Sequence, residues 1–224
     1  MLDQLIIGQK GSVDDFEASV ATRTIGQPKK KTVKETIPYS NTTYDFSKIN
    51  GEVYWEEREL EYIFEMTASS AEELEEMKAA FSDWIMNVFQ DTLYDPHIPD
   101  YHFVGTFEDM EFEDGEGMDK TTATVVFKAY PYKIANTAKT ATYVVGPKGR
   151  LTAYVNNNSS HPIVPTINTT TSIVITQGSV RVAIEAGERK YDNFILQVGQ
   201  NTLPIENTEN TSCSVTFTFY EEVF

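Results

Sequence analysis

The sequence is short of the residues on which most catalytic sites depend. It holds one cysteine, Cys213, and three histidines among 224 residues. A single cysteine cannot close an intramolecular disulfide, and the β-branched and aromatic residues after Cys213 predict a buried or half-buried position in a strand. The sequence also contains no glycine-rich phosphate loop, nucleophile elbow or dinucleotide fingerprint. We therefore predict that the chain is not an enzyme and that it binds no cofactor.

Long apolar runs are missing as well. No stretch approaches the roughly 18 apolar residues that cross a bilayer, and the start of the chain lacks the basic flank and apolar core of a secretory signal. Acidic residues outnumber basic ones by 34 to 18, which gives a formal net charge of −16. A surface of that sign repels phosphates, so nucleic acid and anionic membranes are poor candidate partners. We expect a globular chain that stays in the cytoplasm unless it leaves inside a larger particle.

Charge and periodicity divide the chain into two parts. Residues 1–137 hold 27 acidic and 12 basic side chains, whereas residues 138–224 hold 7 and 6. Apolar density falls after Lys133, and no helical pattern follows. These changes predict an N-terminal domain over residues 1–136 and a C-terminal domain over residues 137–224.

The N-terminal part combines strand patterns with one helix. Short apolar stretches such as Val13–Phe16 and Val33–Ile37 alternate with turn residues, which is typical of hairpins. Within Glu52–Met66, apolar and acidic positions alternate as they do in a half-buried strand. Ser70 and Glu73 then fit a capping box, which marks a helix start. Apolar residues recur at three- and four-residue steps along one face of this helix: Leu74, Met77, Phe81, Trp84, Ile85 and Val88.

The C-terminal part shows short strands at the spacing of an all-β sandwich. The expected strands are Thr140–Val145, Leu151–Val155, Ile163–Ile167, Ser172–Thr176, Val180–Ile184, Asn193–Val198, Asn201–Ile205 and Ser214–Tyr220. Turn residues, including Gly187 and Gly199, are expected between them. The predicted fold class is therefore mainly β: a β-sandwich or split-barrel-like domain with one α-helix, followed by an all-β sandwich.

One segment has the residue types of a metal site. In Asp95–His102, aspartates alternate with His97 and His102, and such side chains could gather a divalent metal. Two prolines make the segment a turn that enters a strand, so we favour a structural role. His161 precedes a proline and is expected in a loop. No metal site and no catalytic residue is predicted.

The acidic run Glu108–Asp119 has the composition of a calcium loop, because hard cations bind several carboxylate oxygens. The spacing does not fit that template. With Asp109 as the first ligand, Asp114 occupies the glycine position, and Lys120 occupies the position that requires a glutamate. A solvated hairpin is the favoured interpretation.

Lys29, Lys30, Lys31 and Lys34 form the only cationic cluster of the sequence. A solvated turn between two strands is the favoured interpretation, because short charge runs mostly face water. The alternative is an assembly contact with an acidic neighbour. Both interpretations expect this cluster to be exposed.

Three stretches carry a family resemblance. They are Arg23–Lys31 followed by Ile37–Asn41 and Tyr44–Phe46; the strand and helix that end in Trp84 and Leu93–Asp95; and Val125–Lys133. The last stretch is the most specific, since an alternating strand is closed by Pro131, which cannot continue a ladder. In this order, and over essentially the whole chain, they resemble the distal tail proteins of siphophages and prophages that infect Gram-positive bacteria.

The resemblance implies a structural virion protein at the tip of a phage tail. Its N-terminal domain would form a hexameric ring between the tail tube and the tail-associated fibre or lysin protein, as a baseplate hub that also bears on host adsorption. The second domain would be a galectin-like sandwich. The implied partners are other copies of the chain, the tail tube protein, the fibre or lysin protein and a receptor-binding protein, with assembly in the bacterial cytoplasm.

Ring contacts need two different patches on each subunit. The lysine cluster and the acidic surface of the first domain are one candidate pair, and this pairing predicts salt-sensitive assembly.

A second hypothesis assigns carbohydrate binding to the C-terminal sandwich. Aromatic side chains can stack on a sugar ring while a few polar groups orient it. Both tryptophans, Trp55 and Trp84, lie in the first domain, and the second lacks the His-Asn-Arg cluster of sugar-binding galectins. We therefore favour protein docking or spacing for this domain. Its candidate aromatic residues are Tyr143, Tyr154, Tyr191 and Tyr220.

Overall fold

Antiparallel strands make up most of the chain in the computed structural model, which describes residues 3–36, 38–39, 41–48, 53–116 and 119–224. The predicted mainly β fold class is confirmed. The chain folds as two units: unit 1 is residues 1–133 with Phe224, and unit 2 is residues 134–223. Within the described ranges, no helix is long and apolar enough to cross a membrane.

Unit 1 is built on one large antiparallel sheet. Its elements are β1 (Ile6–Ile7), β2 (Lys10–Gly11), α1 (Ser12–Phe16), β3 (Ser19–Ile25), β4 (Lys34–Thr36), β5 (Thr43–Asp45), β6 (Arg58–Thr67), α2 (Ala71–Met86), β7 (Asp91–Tyr94), β8 (Tyr101–Asp114) and β9 (Lys120–Ala129). The large sheet runs in the order β2-β1-β7-β8-β9-β6-β3, and β4 pairs with β5 apart from it. Ile37, Ser40 and Glu52, which the predicted strands and the family stretches include, lie outside the described residues.

The core of unit 1 follows the alternation of β6. Leu60, Tyr62, Phe64 and Met66 are buried on one face of this strand, with two glutamates and Ile63 between them. The helix α2 covers that face, and the ring of Phe81 meets Phe64 edge-on with centroids 5.1 Å apart. Each large apolar side chain buried here contributes roughly 1.5–3 kcal/mol.

The predicted helix is confirmed as α2, and its start is capped. Ser70 lies before the first helical residue in an extended conformation, and its Oγ accepts the N–H of Glu73 at 3.2 Å. The Glu73 carboxylate accepts the N–H of Ser69 at 2.7 Å, one residue earlier than in an ideal capping box.

A second, shorter helix was not predicted. Val13–Phe16 was expected as a strand, and that expectation is wrong because these residues belong to α1. The Asp15 carboxylate accepts the N–H of Gly11 at 2.8 Å, and the left-handed Glu17 (φ 52°) ends the turn. Phe16 then stacks on Trp84 with centroids 4.4 Å apart, which buries an apolar residue that a four-residue pattern could not assign.

Unit 2 is an all-β sandwich. After β10 (Lys133–Ala135) at the unit boundary, its strands are β11 (Lys139–Val145), β12 (Arg150–Asn157), β13 (Thr166–Thr169), β14 (Ile173–Gln177), β15 (Val180–Ile184), β16 (Gly187–Lys190), β17 (Gly199–Asn207), β18 (Cys213–Phe219) and β19 (Glu222–Val223). Two four-stranded sheets, β11-β18-β13-β16 and β12-β17-β14-β15, enclose one apolar core. Phe217 of the first sheet and Leu203 of the second are both fully buried in it.

Two predicted strands of unit 2 differ from the structure. The strand expected at Ile163–Ile167 is shifted, because β13 spans Thr166–Thr169. The strand expected at Asn193–Val198 is wrong. Asn193–Val198 is irregular apart from a single bridge between Leu196 and Ile163. Side-chain amides satisfy its backbone in place of a ladder: Gln177 pairs with Ile195, and Asn201 accepts from Gln197 N and donates to Gln197 O. Gln177 lies 18 residues before Ile195, and the apolar pattern carries no sign of this partner, so the pattern alone indicates a strand. Gly187 and Gly199, both expected in turns, instead begin β16 and β17, with φ +109° and +89°.

Candidate functional site

The Asp95 carboxylate is the centre of a buried polar cluster in unit 1. Its side chain is 1% exposed, with Oδ2 3.0 Å from Arg23 Nε and 3.5 Å from the Tyr62 hydroxyl. Oδ1 accepts the N–H of His97 at 2.9 Å, which forms the turn that the two prolines predicted. The His97 ring, half exposed, lies between Asp95 and Asp3. Protein donors therefore occupy both carboxylate oxygens of the candidate metal segment.

Charge rather than hydrogen-bond alignment holds the Arg23–Asp95 pair. Neither Nε nor Nη2 of Arg23 makes an aligned hydrogen bond within the described residues, although both atoms are buried. Burial, with the nearby Asp95 charge second, raises the pKa of Tyr62 well above its ordinary range, so this hydroxyl stays protonated and can donate to Asp95. The cluster is suited to holding structure rather than to exchanging protons.

The other candidate chemical groups also lie in structural settings. His161 pairs with Glu222 at 2.8 Å in unit 2. Cys213 is buried at the start of β18, with Sγ 2.9 Å from Thr169 Oγ1. Burial opposes the thiolate, but hydrogen bonds from threonines, Thr169 first, lower the pKa of this thiol overall. Among the residues that the structure describes, no three His, Cys, Asp or Glu side chains are grouped as metal ligands.

Ion pairs occupy part of the acidic run Glu108–Asp119. Lys128 bridges Glu59 and Glu108 at 2.9 and 3.0 Å. Lys78 bridges Glu75 and Asp114, with Asp114 at 2.6 Å. The described residues of the run lie on the β8–β9 hairpin, and Asp114 contacts Lys78 of α2 rather than lining a cation loop. Most acidic side chains of the described part of unit 1 make no ion pair, so this surface stays strongly negative.

Arg58 is an important residue that the sequence reasoning missed. It occupies an inward position of β6 and is 1% exposed. Its Nε donates to the carbonyl of Pro131 at 2.9 Å, Nη2 donates to the same oxygen, and the guanidinium lies 5.5 Å from the Phe103 ring centroid. Burial lowers the pKa of this arginine. Pro131, two residues after the end of β9, therefore supplies the acceptor that a buried cation requires.

An exposed arm of unit 1 is formed by the described residues of the range 29–56, and it contains the β4–β5 hairpin. At its base Lys31 N–H donates to the Tyr54 carbonyl at 2.9 Å, and Glu56 N–H donates to the Lys29 carbonyl at 2.8 Å. Trp55 anchors this base, because its ring meets Phe224 edge-on at 4.6 Å and Lys30 Nζ lies 5.9 Å from its centroid.

Beyond its base, the arm exposes both lysines and apolar side chains. Every described residue from Lys29 to Phe46 is exposed. Tyr44 and Phe46 stack on each other at 6.4 Å and face solvent. Further exposed apolar side chains of the arm are Val33 and Tyr54. Exposed lysines agree with both interpretations of the lysine cluster, but apolar groups beside them favour a contact surface over a solvated turn.

The four tyrosines of the carbohydrate hypothesis have different roles. The Tyr143 hydroxyl donates to the carbonyl of Tyr154 at 2.6 Å, and the Tyr191 hydroxyl accepts the N–H of Glu185 at 2.9 Å. These two rings also pack against the core of unit 2. Only Tyr154 and Tyr220 expose half or more of their surface, at 57% and 50%. Tyr154 is therefore the aromatic side chain of this set that best fits an external ligand on a sheet face.

No protein-family model and no curated protein matches the chain in sequence. Solved structures do match. The crystal structure of the Dit protein of SPP1, described as a paradigm of the hub adsorption apparatus in phages infecting Gram-positive bacteria, aligns with a TM-score of 0.68 and 14% identity, covering 98% of this chain and 99% of that one. A second match is to the activated baseplate of phage P2 with calcium, with a TM-score of 0.44 and 9% identity over 97% of this chain and 98% of that one. By the match to the SPP1 Dit protein, the chain has the fold of a phage distal tail protein, as the family resemblance predicted.

Proposed function

We propose that this chain is a structural subunit of a phage tail hub, which forms a ring joining the tail tube to the adhesion proteins of the tail tip. The observation that carries the proposal is the agreement in fold with the SPP1 Dit protein over nearly the full length of both chains. Fold alone does not fix function. The exposed arm of unit 1 adds independent support, because it has the composition of a contact surface.

The arm and the acidic surface are the two ring patches. An isolated two-stranded hairpin is marginally stable in water, and the arm adds exposed aromatic rings to that cost. Packing against a neighbouring copy would bury those rings. The arm carries Lys29, Lys30, Lys31, Lys34 and Lys48, whereas a neighbouring copy offers the unpaired carboxylates of its unit 1. Opposite charge on two different patches is what a closed heterologous ring needs.

The ring is a hexamer in this proposal, and its neighbours are the tail tube protein, the fibre or lysin protein and a receptor-binding protein. The protein is assembled in the cytoplasm of the bacterial host and works at the tip of the virion tail. It acts through surfaces and not through catalysis. The engagement of Asp95 by Arg23, the pairing of His161 with Glu222 and the burial of Cys213 support a non-enzymatic role.

Negative-stain imaging of the purified chain tests the architecture. Closed rings with a central channel are expected, and discrete particles without a channel would contradict the proposal. The arm contact is tested by changing Lys29, Lys30, Lys31 and Lys34 to Glu, which should abolish rings at physiological salt. The matched control makes the same charge change at four exposed lysines outside the arm and should keep the rings. Those control positions are Lys10, Lys120, Lys148 and Lys190.

A further inference from the structure

The outer face of one sheet of unit 2 carries a polar groove that ring formation does not require. The strands β12, β17, β14 and β15 lie side by side, and a groove of about 540 Å³ crosses them. Its lining side chains are Arg150, Thr152, Thr176, Arg181, Pro204 and Glu206, with contributions from Leu151, Ser179 and Ile205.

Two arginines share one carboxylate in this groove. Arg150 lies opposite Glu206 in the β12–β17 register and donates from Nη2 to Oε1 at 2.8 Å. Arg181 reaches across β14 and donates from Nη2 to Oε2 at 2.8 Å. One negative charge balances only one of two guanidiniums, so the groove keeps a net positive charge on a chain whose formal charge is −16.

The shared carboxylate also holds the two guanidiniums in place. The hydrogen bond from Arg150 lowers the pKa of Glu206, so the carboxylate stays charged at neutral pH. Each guanidinium carries five N–H donors, and only one nitrogen of each is engaged by Glu206. Both arginines are largely exposed, at 79% and 62% of their side chains, so the remaining donors can reach a ligand.

Hydroxyl and aromatic groups flank the arginines on the same face. Thr152 lies opposite Pro204, and Thr176 lies opposite Arg181. Tyr154 follows two residues after Thr152 on β12, so its exposed ring lies on this face too. An aromatic ring covers the carbon atoms of a polyol or sugar, while threonine hydroxyls and the Glu206 oxygens bond its hydroxyl groups.

Phosphate fits this arrangement, because each guanidinium offers two parallel donors to phosphate oxygens and a phosphate has oxygens for both arginines. A neutral sugar would leave the positive charge unused, and a bare phosphate would leave Tyr154 and the hydroxyl partners unused. We propose that the β12-β17-β14-β15 face of unit 2 binds a phosphodiester-linked polyol chain, with Arg150 and Arg181 on a phosphate, Glu206 and the threonines on hydroxyls, and Tyr154 against the polyol carbons. This site is independent of ring formation.

Calorimetric titration of the full chain with a short synthetic glycerol phosphate oligomer tests the site. The wild type is expected to bind, and the Arg150→Gln, Arg181→Gln double variant should bind at least about tenfold more weakly. Arg189→Gln is the matched control. Arg189 is also an exposed arginine in an ion pair, with Glu185, but it lies on β16 of the other sheet. This variant should bind as the wild type does.

Three results would overturn the inference: no binding to the wild type at millimolar oligomer, equal weakening in the control, or an unchanged affinity in the double variant. Inorganic phosphate and neutral glycerol separate the two halves of the ligand. Both should bind much more weakly than the oligomer. If inorganic phosphate bound as tightly as the oligomer, the polyol would make no contribution to binding, which would contradict the proposal. Negative-stain imaging of the double variant distinguishes failure of this proposal from failure of the ring proposal, because rings should persist when oligomer binding is lost.

Discussion

Arg23 Nε lies 3.0 Å from the buried Oδ2 of Asp95, which joins the N-terminal family stretch to the segment that had the composition of a metal site. Asp95→Asn removes the buried negative charge and leaves Arg23 with only the longer contact to Asp3, at 3.8 Å. We expect the free energy of unfolding to fall by about 3 kcal/mol, measured by urea denaturation. Asp100→Asn, at an exposed position of the same turn, should change it by less than about 0.5 kcal/mol. Equal losses in the two variants would contradict a structural role for the pair.

The burial of Tyr62 makes a prediction about alkaline stability. Because its pKa is raised in the folded protein, the unfolded chain releases this proton first as the pH increases. The contribution is fully present below the ordinary tyrosine pKa of about 10 and is lost as the pH rises toward the folded-state value. The unfolding free energy of Tyr62→Phe should therefore fall less steeply above that pH than that of the wild type. As the internal control, the difference in unfolding free energy between the wild type and Tyr62→Phe should stay constant from about pH 6 to about pH 8. Unfolding free energies that fall with the same slope above a pH of about 10 in both proteins would disprove the prediction.

Arg58 should not tolerate lysine. Its Nε and Nη2 both donate to the Pro131 carbonyl, a fork that an ammonium group cannot reproduce. Arg58→Lys is expected to lower the unfolding free energy by about 2 kcal/mol, as measured by thermal or urea denaturation. Lys128→Arg, the reverse kind of change at a partly exposed ion pair, should have an effect near zero. An unchanged free energy of unfolding in Arg58→Lys would mean that the contact with the Pro131 carbonyl does not stabilise the fold.

The base of the arm depends on close backbone packing at Gly26. Its N–H donates to the carbonyl of Glu59 at 2.8 Å, and a Cβ built on Gly26 would lie 2.7 Å from that same oxygen. Gly26→Ala must separate the end of β3 from β6, at a cost of about 1–3 kcal/mol, and should weaken ring assembly as well. Gly146→Ala is the control, because no atom lies within 4 Å of its added Cβ. Unchanged stability and assembly of Gly26→Ala would exclude the proposed tight approach.

The sequence predicted the elements whose patterns are long. The helix α2 repeats its apolar stripe over four turns, and β6 alternates over ten residues, so both could be recognised locally. That alternation also points Arg58 inward, a signal that the sequence carried and the interpretation overlooked. The acceptor of Arg58 could not be predicted, because a carbonyl direction at Pro131 follows from tertiary packing.

Short and irregular features were the ones that failed. α1 has five residues, fewer than the length over which helical and strand periods separate. The backbone of the irregular segment is bonded at Ile195 by Gln177, a side chain 18 residues earlier whose role has no local signal. The sequence predicted a lysine-rich turn at the arm, but the contact surface that we propose there rests on the exposure of Tyr44 and Phe46, which only the three-dimensional structure reveals.

The mass of the purified chain in solution, measured by light scattering over a wide range of concentration and salt, tests the central claim most directly. A tail hub subunit should form one closed species of about six copies, and this species should dissociate as salt screens the arm against the acidic surface. A chain of 25.3 kDa at every concentration and salt would contradict the account, because a strict monomer has no ring with which to join a tail tube to its adhesion proteins.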